Sequence, residues 1–135
     1  MTKALLIAAF SVAISCAHAQ CDVLSDDCAK AMGKQFIVDP NFFQAELNPK
    51  DEASFRAVWL KGNTYRLNVC SADGSACAVM VYDEEGTLLY DNQQFEQAQT
   101  WDFFAESTMQ VSIAIRLHEQ SKAKSCVSAI TAFKK

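Results

Sequence analysis

Histidine is nearly missing from this chain. Two occur in 135 residues, His18 and His118, and the first sits in a segment that reads as a removable leader. A zinc site built on two or three imidazoles of one mature chain is thereby excluded. Any Ser-His-Asp or Cys-His arrangement would have to use His118, at the polar end of a strand beside Glu119-Gln120-Ser121-Lys122. With no motif around it, a solvated loop histidine is the simpler reading, and a hydrolase using His118 is the lesser alternative. Glycine is scarce too: Gly33, Gly62, Gly74 and Gly86 stand singly at turns, so no phosphate-cradling loop can be assembled. No cofactor is implied. Basic runs are also lacking, and the formal charge of −4 drops by one more unit if Lys3 leaves with the leader. Nucleic acid and anionic membranes are therefore poor partners. After the leader no apolar stretch is long enough to span a bilayer, so membrane insertion is not expected.

What is present begins with an address. Lys3, an apolar run from Ala4 to Ile14 and the small residues of Ala17-His18-Ala19 form the pattern of a signal peptide over residues 1–19. Gln20 then opens a mature chain of residues 20–135, one domain with one core, secreted or periplasmic. A rival reading makes Cys16 a lipidated cysteine after Ala-Ile-Ser.

Five cysteines follow the leader: Cys21, Cys28, Cys70, Cys77 and Cys126. In an oxidising compartment disulfides are the default, and an odd number leaves one thiol free or paired with another molecule. The spacing Cys-x6-Cys occurs at 21–28 and again at 70–77, which makes two local loops the simplest expectation. The stretch CSADGSAC at 70–77 supplies too few ligands for a metal, and it lacks the Cys-x-x-Cys at a helix start that redox catalysis uses. A staple fits it better, with Cys70 opposite Cys77 in a hairpin. That register would put Val79 and Val81 on the same side as Asn68 and Arg66. If Val79 and Val81 point into the core instead, the two strands lie in different sheets and Cys70 pairs with Cys126.

A short helix is expected around SDDCAKAMGK, capped by Ser25 and ended near Gly33. From Gln35 onward short apolar runs alternate with turn residues, predicting strands near 35–38, 42–47, 54–60, 64–70, 77–82, 87–92, 100–104, 108–117 and 126–133. Tyr65, Leu67 and Val69 share one face, and so do Met109, Val111, Ile113, Ile115 and Leu117. Such one-sided strands indicate antiparallel sheets with a wet outer face. The expected fold is mainly β: a two-sheet antiparallel β-sandwich of jelly-roll type, with 8–9 strands and one short N-terminal helix.

Carboxylates cluster at Asp83-Glu84-Glu85, where Gly86 makes a hairpin turn the natural reading and a calcium site a weaker one. Aromatic residues offer the best case for binding. In TWDFF, Trp101 and Phe103 share one strand face, and secreted sandwiches often grip sugars or peptides through aromatic rings beside polar groups. The candidate binding residues are Trp101 and Tyr90, with Asp91 and Asn92 as hydrogen-bonding neighbours. The competing reading buries these rings in the two-sheet core.

The order of features is distinctive: the GNTYRL strand, the YDEEGTLLYDN hairpin, the WDF stretch followed by Ser-Thr, and a closing CVSAITAFKK. It resembles small secreted sandwich proteins of Bacteroidota and related bacteria, similar to the pre-peptidase C-terminal type. The resemblance covers nearly all of the mature chain, rests on strand, turn and core residues, and implies no catalytic signature. The leading expectation is a non-enzymatic binding or accessory module for a glycan, peptide or protein. The alternative is a structural component that uses its odd cysteine in an intermolecular disulfide.

Overall fold

The computed structural model describes residues 17–135. The expected leader and Cys16 lie outside them, except that helix α1 (Ala17–Lys30) takes in the last three leader positions. Nine strands follow: β1 (Ile37–Val38), β2 (Phe43–Leu47), β3 (Glu52–Trp59), β4 (Thr64–Ser71), β5 (Ala78–Tyr82), β6 (Leu88–Asp91), β7 (Thr100–Phe104), β8 (Met109–Arg116) and β9 (Ser125–Lys134).

They form two antiparallel sheets, ordered β1-β9-β4-β7, with β2 also on β9, and β3-β8-β5-β6. The pairs β2–β9, β3–β8, β4–β7 and β5–β6 are nested one inside the next. That nesting is a long antiparallel ribbon rolled over on itself, the jelly-roll arrangement. The alternating residues read from the sequence line the space between the sheets: Leu67, Val69, Val79, Val81, Val111, Ile113 and Ile115 are all buried there. At about 25 cal/mol per Å² of apolar surface, this layer is the main source of stability.

The outer face of the five-stranded sheet is not wet. Helix α1 lies across β9 and β4 and closes a second, smaller core of Cys28, Met32, Phe36, Ile130 and Ala132. Strand β9 is therefore buried on both faces, which explains its run of apolar and small residues. Asn68, expected on a solvated face, is buried beneath the helix and donates from Nδ2 to the Cys28 carbonyl at 2.9 Å. The helix also starts earlier than its local signals indicate. Ser25 is not its cap but a buried mid-helix residue, with Oγ 3.2 Å from the Cys21 carbonyl and 2.8 Å from Ser128 Oγ. Packing onto the sheet, rather than capping, sets the extent of this helix.

Both disulfides tie that helix down, and neither closes a local loop. Cys21 pairs with Cys126 (Cα–Cα 5.6 Å) and Cys28 with Cys70 (Cα–Cα 6.0 Å), correcting the 21–28 and 70–77 expectation and the 70–126 alternative alike. The reason is topological. Strands β4 and β5 belong to different sheets, with Val79 and Val81 in the core, so Cys70 faces outward to α1 while Cys77 turns inward. Cys77 is a free, buried thiol. The bridges are intramolecular, and a buried Cys77 is out of reach of another molecule in the folded state.

Candidate functional site

The edge strands β6 and β7 lie on the same side of the sandwich, one from each sheet, and aromatic rings fill the seam between them. Tyr90 of β6 meets Trp101 at 5.1 Å and the edge of Phe103 at 5.2 Å. Phe103 continues to Trp59 at 4.9 Å, and Trp59 stacks on Tyr65 at 5.4 Å. A 3-10 helical turn, Asn92–Phe95, leads out of β6 and lays the Phe95 ring over both Tyr90 (5.4 Å) and Trp101 (4.6 Å). Offset and tilted contacts of this kind add about 0.5–1.5 kcal/mol each beyond area burial.

All four candidate binding residues gather at this seam, but they do not share one role. Trp101 is half-buried and Tyr90 is buried, so Tyr90 supports the seam from within. Asn92 is wholly buried, and its side chain is spent on the backbone. Its Oδ1 accepts from Val79 N at 2.8 Å, while Nδ2 donates to the carbonyls of Cys77 (2.9 Å) and Ala98 (3.0 Å). Strand β6 ends one residue short of Val79, and the Asn92 amide stands in for the missing rung. Asp91 caps the 3-10 turn by accepting from Gln93 N at 3.0 Å. Gln99 does for Cys77 what Asn92 does for Val79, with Cys77 N donating to its Oε1 at 2.9 Å. A surface ligand is thus left Trp101 and the rim of Asp91, while Tyr90 and Asn92 serve the fold.

Leu88, Leu89 and Phe95 were not singled out from the sequence, whereas Phe104 reads from it as lying with Asp102 on the face of β7 opposite Trp101 and Phe103. Leu88 and Leu89 on β6 are each 46% exposed, Phe95 is 44% exposed, and Phe104 at the end of β7 is 64% exposed. The charge around them is one-sided. From Leu67 to Ile115 the chain has no lysine, arginine or histidine, yet half of its 16 acidic residues fall in that stretch. That gap in cations was the readable signal for this face.

Two depressions lie elsewhere. The larger, about 510 Å³, sits on the outer face of the four-stranded sheet, lined by Arg56, Tyr82, Gln110 and Ser112 and rimmed by the Asp83–Gly86 turn. The turn is the expected hairpin: Asp83 Oδ1 accepts from Glu85 N (2.9 Å) and Thr87 N (2.8 Å), and Glu84 Oε1 accepts from Gln110 N (3.1 Å). With Asp83 and Glu84 so engaged, no group of three or more metal-ligating side chains occurs among the described residues. The smaller depression, about 170 Å³, is lined by Cys77, His118, Gln93 and Gln97. Burial pushes the Cys77 thiol up to about 11, aided by the charge of Asp73, so it is a protonated thiol rather than a nucleophile. His118 accepts from Gln120 N through Nδ1 at 3.2 Å.

No protein-family profile matches the chain, and no curated protein sequence does. Among solved structures the fold is similar to that of PliG from Aeromonas hydrophila, a periplasmic lysozyme inhibitor of g-type lysozyme, with a TM-score of 0.55 and 11% identity. The match covers 70% of this chain and 85% of that one. At this identity the likeness is one of fold.

Proposed function

We propose that this chain is an exported, non-enzymatic β-sandwich that binds a protein, and that its target is a secreted cell-wall-cleaving enzyme of the lysozyme kind. The observation that carries the reading is the shared fold with a periplasmic inhibitor of g-type lysozyme, which extends over most of that protein. Two features of the chain support it. Two intramolecular disulfides suit an oxidising compartment outside the cytoplasm. A helix strapped to one sheet by both bridges makes a stiff scaffold, and stiffness lowers the ordering cost of binding a protein partner. Catalysis has weaker support: the free thiol is held protonated, and His118 lies at a polar loop with its Nδ1 already hydrogen-bonded.

The test is an inhibition assay with the disulfide-bonded protein, residues 20–135, and a g-type lysozyme clearing a suspension of bacterial cell walls. Inhibition that saturates near one equivalent is expected. Full lytic activity at a tenfold molar excess of the protein would refute the proposal.

A further inference from the structure

The opposite edges of the two sheets, β1 and β3, expose apolar residues (Ile37, Phe42, Val58 and Leu60), but basic Lys34, Arg56 and Lys61 are interspersed in the chain there. The side face between β6 and β7 combines three properties. It carries exposed apolar groups, Leu88, Leu89 and Phe95, beside the half-buried Trp101. It has two free strand edges, since β6 and β7 each end the order of their sheet. And its charge has a single sign. Glu85 sits in the turn before β6, Asp91 ends β6, and Glu96 closes the 3-10 turn, with no basic residue between them in the chain.

The cations of neighbouring elements do not offset this. Arg66 on β4 is held by Asp102 of β7 through two contacts, Nε–Oδ1 at 2.7 Å and an N–H to Oδ2 at 2.9 Å, so its charge is matched locally. Arg116 is paired with Glu52 at 3.5 Å. Arg56 on β3 lines the depression that the Asp83–Gly86 turn rims, so it is a neighbouring cation on the Glu85 side, while strand β6 with Asp91 lies three strands, roughly 14 Å, from β3. Lys61 and Lys134 lie at the end of the sandwich where Phe104 closes β7, with Glu106 in the adjoining loop.

We propose that this side face is the docking surface for the protein partner, and that the partner presents a basic surface around an apolar contact. The inference rests on the binding function proposed above and assigns it a place and a chemistry. Lysine and arginine side chains of the partner would meet Glu85, Asp91 and Glu96, while an apolar group packs on Leu89, Phe95 and Trp101. A second copy of this chain is disfavoured, because it would set acids against acids. Nucleic acid and anionic lipid carry the wrong sign. Complementary charge of this kind acts chiefly on the association rate and on partner choice.

Two probes separate this inference from the function it rests on. The first is a short peptide of alternating lysine and leucine, titrated into the disulfide-bonded chain and followed by amide NMR. Shifts should concentrate at Leu88, Leu89, Phe95, Glu96 and Trp101. E85K and E96K should each weaken the peptide about fivefold or more, whereas D26K on α1, with the same change in net charge, should leave it unaltered. Shifts centred on another face, or equal losses in D26K and E96K, overturn the proposal. So does a dimer in gel filtration that L89S dissolves. The second probe is a g-type lysozyme of positive net charge, whose association rate should fall about tenfold between 50 and 300 mM salt and again in E96K. If the peptide maps to this face and the lysozyme is not bound, the enzyme target is wrong and the docking face stands. If the lysozyme is inhibited equally by wild type, E85K, E96K and L89S, the function stands and the face is wrong.

Discussion

Replacing Asn92 tests whether its side chain is a strand surrogate or a ligand group. In N92A three groups lose the Asn92 amide at once: Val79 N–H loses its acceptor, the Cys77 carbonyl keeps only its bond from Gln99 Nε2 at 3.0 Å, and the half-buried Ala98 carbonyl is left to water. Val79 and Cys77 are themselves buried, so water cannot enter without opening the end of the seam. An orphaned buried group costs about 1–3 kcal/mol, and with partial relief at both carbonyls the expected loss is about 2–3 kcal/mol. With a urea dependence of about 2 kcal/mol per molar, the unfolding midpoint should fall by about 1–1.5 M with little change in slope. N92D refines the test. Its carboxylate keeps an acceptor for Val79 N but gives no donor to the carbonyls, and it places a charge in the interior. Burial would raise the folded-state pKa of that carboxyl above its unfolded value, so its penalty relative to wild type should grow as pH rises and shrink toward pH 4. A midpoint for N92A within about 0.5 M of wild type would refute the surrogate role.

Non-reducing peptide mapping should recover 21–126 and 28–70 linkages, and a 70–77 or 70–126 peptide would contradict the strap arrangement. In the entropic description the two bridges constrain loops worth about 5 and about 4 kcal/mol respectively, so reduction should cost several kcal/mol of stability. Cys77, with its pKa raised to about 11, should resist thiol reagents at pH 8 in the folded protein and react at once in denaturant. Hydrogen bonds from Arg66 hold the Asp102 carboxyl below its ordinary value, as those from Ser75 and Ser71 do for Asp73. Their stabilisation is present above the unfolded value of 3.8 and is lost as pH falls through the lower folded values, so D102N should flatten part of the acid limb of the stability curve. Caesium should quench the Trp101 emission more than iodide does, since an acidic face concentrates cations; equal quenching, or stronger quenching by iodide, would count against that face.

Most strands were legible because they alternate over a half-buried surface, while β9, buried on both faces, reads as a run of apolar and small residues; the nine expected segments match the observed ones to within a few residues. What the sequence could not display was the layer above the sheet. Asn68 looks like a solvent-facing residue until α1 covers it, as Arg66 does until Met32 and Phe36 of the segment after the helix meet it, and the pairing of Cys28 with Cys70 exists only because that helix crosses β4. The mixed-face problem of a 70–77 hairpin did point to strands in separate sheets, though not to the helix that supplies the partner cysteines. The candidate site was half visible. Tyr90, Asp91, Asn92 and Trp101 do cluster, but a buried asparagine that completes a β ladder and a surface asparagine that grips a ligand have the same local sequence. Only the geometry separates them.

The bridge between Cys21 and Cys126 spans 105 residues, from the first helix to the strand at the centre of its sheet. Of the five cysteines after the expected leader, synthesis delivers Cys21 first and Cys126 last, so Cys21 must stay uncommitted while 28, 70 and 77 pass by. A chain stalled or clipped before β9 would display an unpaired thiol, a helix with half its platform missing, and a β4 lacking one neighbour. The arrival of β9 is thus written into a covalent bond, and any thiol-scanning quality control could tell molecules that have docked it from those that have not by that single sulfur.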